Sequence, residues 1–181
     1  MTKLTHRLAT PEDIPAIIEL MRLSILENMK SYLSAAEIEA AHETMGVDLT
    51  LIEDRTYFVI ETTQQGQTIL VGCGGWGKRR TLYGGGHTKG RDDSYSDPAT
   101  EPARIRAMYT HPSWIRHGIG TLLLRLGEAA AREAGFTSIE LGSTLAGEPL
   151  YIAKGYMEFD RETHVAENCA QNVVIKMRKS L

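Results

Sequence analysis

The stretch Arg106-Ala-Met-Tyr-Thr-His-Pro-Ser-Trp-Ile-Arg-His-Gly-Ile-Gly-Thr121 has the residue types of an anion site. An extended segment ends at His111-Pro112, and a glycine-bearing turn then opens a helix. Unpaired backbone N–H groups and the positive end of the helix dipole therefore meet at one point. That arrangement suits a phosphate or pyrophosphate, and Gly118 and Gly120 would let the anion approach the chain. On the turn alone, close packing of the helix against a sheet explains the two glycines equally well. A dinucleotide fingerprint is disfavoured, because position 123 is Leu where a third small residue is needed and the run from Thr110 to Gly118 is too long for a tight turn. No Gly-Lys-Ser/Thr occurs for a P-loop, and Gly142-Ser143-Thr144 lacks the second glycine of a nucleophile elbow. The histidines include no H-E-x-x-H, and Cys73 and Cys169 stand far apart, so no metal site or disulfide framework is expected from local sequence.

The elements that must hold this turn are legible as periodicities. Leu4 to Leu8 reads as a strand, and Thr10-Pro11-Glu12-Asp13 starts a helix whose Ile14, Ile17, Ile18, Met21 and Ile25 share one face as far as about Glu27. Ser34-Ala35-Ala36-Glu37 is a capping box for a second helix, continued by Ile38, Ala41 and Met45. Tyr57–Thr62 and Thr68–Gly72 form a hairpin around Gln64-Gln65-Gly66-Gln67. Glycines 72, 74, 75, 77, 84, 85, 86 and 90 then crowd together, which predicts a long mobile loop over about 77–102. Ala103 to Thr110 alternates as a half-covered strand, with Arg104 and Arg106 on its solvated face. From Gly118 to Ala134 a helix carries Ile119, Leu122, Leu123, Leu126 and Ala130 on one face and Arg125, Glu128 and Arg132 on the other, with Gly135 as its stop. Ser138 to Leu141 follows as a strand parallel to the previous one. A short helix near Glu148 to Lys154 and a strand pair near Gly155–Val165 and Asn172–Arg178 complete an α/β order.

At 181 residues the chain fits one domain spanning 1–181, with a composition of 42% hydrophobic and 24% charged residues typical of a globular protein. The net charge of -3 argues against a nucleic-acid partner, so an anionic ligand must be held locally. No stretch approaches the ~20 apolar residues of a membrane span, and Met1 to Thr10 lacks the apolar core of a signal peptide. A cytoplasmic protein with no membrane partner is expected.

The Arg116-His117-Gly118-Ile119-Gly120-Thr121 turn between strand and helix, the Ile139-Glu140-Leu141 strand, and Leu150-Tyr151-Ile152-Ala153-Lys154-Gly155-Tyr156 together resemble the GNAT superfamily of N-acetyltransferases. The order of elements agrees from about Leu4 to Arg178, and the sharp part is residues 103–156. The resemblance implies a mixed, mostly antiparallel central sheet flanked by helices, with a splayed parallel strand pair that binds acetyl-CoA. It implies that Arg116, His117, Gly118, Ile119, Gly120 and Thr121 hold the pyrophosphate, largely through backbone N–H groups. Met108, Tyr109 and Thr110 would pair with the pantetheine arm as if it were an added strand, and Tyr151 would protonate the departing thiolate. A phenol with a pKa of ~10 carries its proton at pH 7 and can donate it. The sequence departs from the family pattern at Ile115, where Arg or Gln is common, at Thr144, where Asn is frequent, and at Pro149, which requires the helix carrying Tyr151 to be short or to begin at the proline.

The resemblance implies an acceptor that is a small-molecule or peptide amine and is compatible with a homodimer. Direct attack by a primary amine is expected, because no activated Cys or Ser motif is present. A non-catalytic acyl-CoA-binding regulatory module is the alternative. Asp92, Asp93, Glu101, His111 and Glu140 are candidates for the general base, with none preferred. The acceptor walls are expected from the Glu27–Ser34 turn, the 77–102 loop and the Glu158–Asn172 segment, and the loop, whose order must come from contacts elsewhere, is expected to act as a lid.

Overall fold

The computed structural model describes residues 3–181. Its strands are β1 (Leu4–Leu8), β2 (Tyr57–Gln64), β3 (Gln67–Gly77), β4 (Ala103–Thr110), β5 (Ser138–Ser143), β6 (Met157–Val165) and β7 (Gln171–Ser180). Its α-helices are α1 (Ile14–Asn28), α2 (Ala35–Ala41), α3 (Leu49–Glu53), α4 (Ile119–Glu133) and α5 (Glu148–Ala153). The strands form one seven-stranded sheet in the order β1-β2-β3-β4-β5-β7-β6. Neighbours run antiparallel except β4 and β5, which are parallel as the intervening α4 requires. Helices cover both faces: Val59 and Cys73 pack with α1, α2 and α3, while Ile60 and Val71 pack with α4. Among the described residues no helix is long and apolar enough to cross a membrane.

Local sequence explains most of these elements. Gln65 and Gly66 both have positive φ, 51° and 79°, and join β2 to β3 in the two-residue turn whose twist suits a hairpin. Ser34 and Glu37 form the expected reciprocal cap on α2. α4 lies close to the sheet because glycines leave room: a Cβ on Gly72 would stand 2.3 Å from Ile119 Cγ2, and one on Gly127 2.9 Å from Ile105 Cδ1.

Several expectations are corrected. Gly72, Gly74, Gly75 and Gly77 belong to β3 and are buried, so the glycine crowd is half strand. The segment that follows is tied down rather than loose: Arg79 pairs with Asp54 at 2.7 Å, Arg80 with Glu101 at 2.7 Å, and Arg91 with Asp48 at 2.9 Å. Arg104 and Arg106 are buried, not solvated. Carbonyls of Pro102 and Ala103 accept from Arg104, and Asp48 pairs with Arg106 at 2.8 Å. On α1 the buried stripe is Ile17, Leu20, Met21, Ser24 and Ile25, and Ile18 lies outside it, 49% exposed. On α4 Glu128 is buried, because Lys179 at 2.9 Å and the Tyr156 hydroxyl at 3.0 Å satisfy its carboxylate. α2 ends at Ala41, short of Met45, and α3, capped by Asp48, is an element too short for periodicity to show.

Two irregularities in the sheet create the site. β4 and β5 pair only at Ala103↔Ile139 and Arg104↔Glu140 and then diverge, while β7 holds β5 along its whole length. In the ladder with β3, Gly75 opposes Arg106 and Cys73 opposes Tyr109, so Ala107 and Met108 both face Gly74. This one-residue bulge puts Ala107 at a φ of 52°, a left-handed conformation uncommon for a residue with a Cβ. Bulge and gap lie side by side, leaving β4 residues past Arg104 without a partner strand on the β5 side.

Candidate active site

A cleft of about 820 Å³ runs through the β4–β5 gap and is lined from both faces of the sheet. At one end stands the start of α4. Its N-cap Gly118 has φ 82° and ψ 3°, no side chain of the described residues caps it, and Arg116 before it has φ 64°. The first N–H groups of a helix have no intrahelical partner, so they remain available here for an anion. The two glycines serve different ends. A Cβ on Gly118 would meet nothing within 4 Å, so that position needs glycine for its left-handed backbone. A Cβ on Gly120 would lie 2.8 Å from Leu150 Cδ2, so that position needs it for space beside α5.

Of the residues the sequence singled out, Met108, Tyr109, Thr110, Arg116, Gly118, Ile119, Gly120, Thr121 and Tyr151 all line the cleft. His117 does not: its exposed ring lies 5.2 Å from that of Trp114, and Nδ1 is 2.8 Å from the Ile115 carbonyl. Lys154 lines the same end as Arg116, and neither forms an ion pair among the described residues. Asn28, at the end of α1, donates at 2.8 Å to the Thr110 carbonyl, fastening α1 to the tip of β4.

Tyr151 is 8% exposed and sits in the first turn of α5, which has Pro149 at its start, where a missing N–H costs nothing. Its ring meets that of Tyr156 edge-on at 5.9 Å. Burial pushes its pKa up to about 12, so the phenol holds its proton throughout the neutral range. Tyr109, also buried and in the cleft, is pushed up further by burial.

None of the carboxylates or histidines named as candidate bases lines the cleft. Asp92 accepts from Ser94, Asp93 pairs with Arg91, Glu101 with Arg80 and Glu140 with Arg178, and His111 caps the Ser113 N–H. Three groups that do line it carried no sequence signal of their own: Asn28, Tyr83 and Asn172. Each is brought there by contacts with distant segments.

The sheet is thus opened between two parallel strands, with a bulge on one and a helix N-terminus at the gap. The sequence matches the family described as Acetyltransferase (GNAT) family over residues 21–152, and the chain belongs to that family. Its fold is similar to that of a GCN5-related N-acetyltransferase from Rhodopseudomonas palustris, with 19% identity, a TM-score of 0.69 and coverage of 100% of this chain and 98% of that one. YncA of Salmonella typhimurium, a structure with acetyl-CoA, has 20% identity and a TM-score of 0.65 over 99% of this chain and 94% of its own. PaiA N-acetyltransferase of Thermoplasma acidophilum, in complex with coenzyme A, has 14% identity and a TM-score of 0.59 over 99% of both chains. No curated protein matches the sequence.

Proposed function

We propose that the chain is an N-acetyltransferase that moves an acetyl group from acetyl-CoA to a primary amine by direct attack. The observation that carries this reading is the continuity of one cleft from the uncapped start of α4, past the bulge at Ala107, to Tyr151. Acetyl-CoA supplies an activated thioester. The residues present fit it: backbone N–H groups of Gly118 to Thr121 with Arg116 for the pyrophosphate, and the unpartnered edge of Met108 to Thr110 for the amide-bearing arm. Tyr151 holds its proton at the hydroxyl, ready for a thiolate leaving group. Direct attack is supported by the state of the thiols. Cys73 is fully buried, accepts the Tyr57 hydroxyl at 3.3 Å and has its pKa pushed up to about 12 by burial, while Cys169 is exposed on the β6–β7 turn. Neither lines the cleft. The test is release of the CoA thiol against a panel of primary amines. Turnover with at least one amine is expected, and tight CoA binding without turnover for any would leave a binding module.

Two expected results probe the cofactor end. Gly120→Val should weaken CoA binding more than tenfold in a folded variant, because its branched side chain displaces Leu150 and crowds the turn. Titration calorimetry showing unchanged affinity would remove the pyrophosphate assignment. Arg116→Ala should weaken binding less, and the deficit should shrink as salt rises, because an exposed cation acts on phosphate through solvent.

A further inference from the structure

Beyond the gap the cleft opens on the face carrying α1 and α2, and there segment 82–86 crosses it as a strap. Arg106 on β4 donates to the Gly84 carbonyl at 2.7 Å, and the Gly86 N–H donates to the Val47 carbonyl at 3.0 Å. Tyr83 reaches over β5: a Cβ on Gly142 would stand 3.0 Å from Tyr83 Cδ1 and 3.1 Å from Val174 Cγ1, so only glycine leaves room for the ring. The Tyr83 hydroxyl then donates to Glu162 on β6. The strap is thus fastened to β4 on one side and β6 on the other, and Leu82, Tyr83 and Gly84 wall this end of the cleft and narrow it.

Asn172 on β7 shares a face with Val174 and lines the same end of the cleft. It is more than nine-tenths buried, and its Nδ2 donates to the Glu37 carbonyl at 3.0 Å, which fixes the orientation of the amide. The amide oxygen is left as a buried acceptor with no partner among the described residues. Such an oxygen is costly unless a ligand supplies a donor. Charge at this end is already matched, since Glu27 pairs with Lys30 and Arg106 with Asp48, and Leu33, Met45 and Val174 add apolar wall. The acceptor left open beside that wall is Asn172 Oδ1, which calls for a hydrogen-bond donor.

We propose that this strapped end is the acceptor subsite, and that it takes a small primary amine bearing a hydroxyl or similar uncharged donor, bound by Asn172 Oδ1, and excludes polypeptide amines. The inference rests on the acetyl-transfer reading above. Amino alcohols with two to six methylenes, the matching n-alkylamines, and a hexapeptide with a free N-terminus and one lysine are the probes, with CoA release as readout. At the best length the amino alcohol is expected to exceed its alkylamine about tenfold or more in kcat/KM, and the peptide to be inert. In Asn172→Leu, or Asn172→Ala should the leucine variant not fold, that ratio falls to within about twofold. CoA affinity by calorimetry reports whether the cofactor end is intact. Amine turnover without preference for the hydroxyl, a preference that survives in the Asn172 variants, or a peptide acetylated as fast as the amines each overturns the proposal and leaves acetyl transfer standing. Intact CoA binding with no acceptor turned over removes both readings.

Discussion

Tyr151→Phe is expected to lower kcat about 100-fold or more while CoA affinity changes little. The substitution deletes one hydroxyl and keeps the ring, so the edge-on contact with Tyr156 and the wall of the cleft survive. Loss of rate without loss of binding is the signature of an interaction made only as the thiolate departs. The direction of the pKa matters here. Burial raises it to about 12, so the donor form is fully populated at neutral pH and activity should show no loss from Tyr151 deprotonation below about pH 11. A variant within a few-fold of the parent, with chemistry shown to limit the rate, would transfer the role to Tyr109, the other buried phenol of the cleft.

The fold was legible where structure is local. The two-residue turn at Gln65-Gly66 and the reciprocal cap of α2 are decided within a few residues and stand as the sequence predicts, whereas the buried stripe of α4 is turned from the predicted face to Ile119, Leu123, Leu124, Gly127, Glu128 and Ala131. The backbone of the turn before α4 belongs with the local features, because a left-handed glycine and a helix start lie consecutively. What the sequence did not show depends on partners far along the chain. Glu128 reads as a solvent-facing acid in any helical wheel, and only Lys179, brought over by β7, makes its burial tolerable. Arg106 reads as the exposed half of an alternating strand until Asp48, 58 residues earlier, is set beside it. Asn172 has no motif at all, and its candidate role comes from a carbonyl on α2 that takes its N–H and leaves its oxygen unpaired. Periodicity measures the average environment of a face, so it is blind to a single charge that a distant countercharge allows to be buried.

That blindness is greatest at Asp48, the carboxylate that holds the strap in place. Its side chain is 1% exposed and accepts from Arg106 at 2.8 Å, Arg91 at 2.9 Å and the Thr50 hydroxyl at 2.7 Å. Arg106, itself 2% exposed, carries the Gly84 carbonyl, and Arg91 carries that of Gly85 at 2.8 Å, so one buried acid fixes α3, β4 and the strap together.

Asp48→Ala is therefore expected to lower the free energy of unfolding by about 3–5 kcal/mol, the cost of leaving a buried charge without its partner. Arg106 would keep only the carbonyls of Thr81 and Gly84, and its Nε is already unpartnered among the described residues. Urea titration at pH 7 measures the loss, and a deficit below about 1 kcal/mol would mean that the arginines find other acceptors or reach solvent. Adding Arg106→Met should restore much of the deficit, because an apolar chain of similar reach removes the orphaned charge. The pH dependence has a definite sign. Burial alone would raise the Asp48 pKa, but the Thr50 hydroxyl, Arg106 and Arg91 more than offset it and hold the carboxyl below its ordinary value. A depressed folded-state pKa contributes stability that is present above the unfolded value of about 3.9 and is lost as pH falls through the folded one. The parent should thus lose stability below about pH 4 more steeply than Asp48→Asn, in which the titrating group is gone, and the two urea midpoints should converge as the solution is acidified.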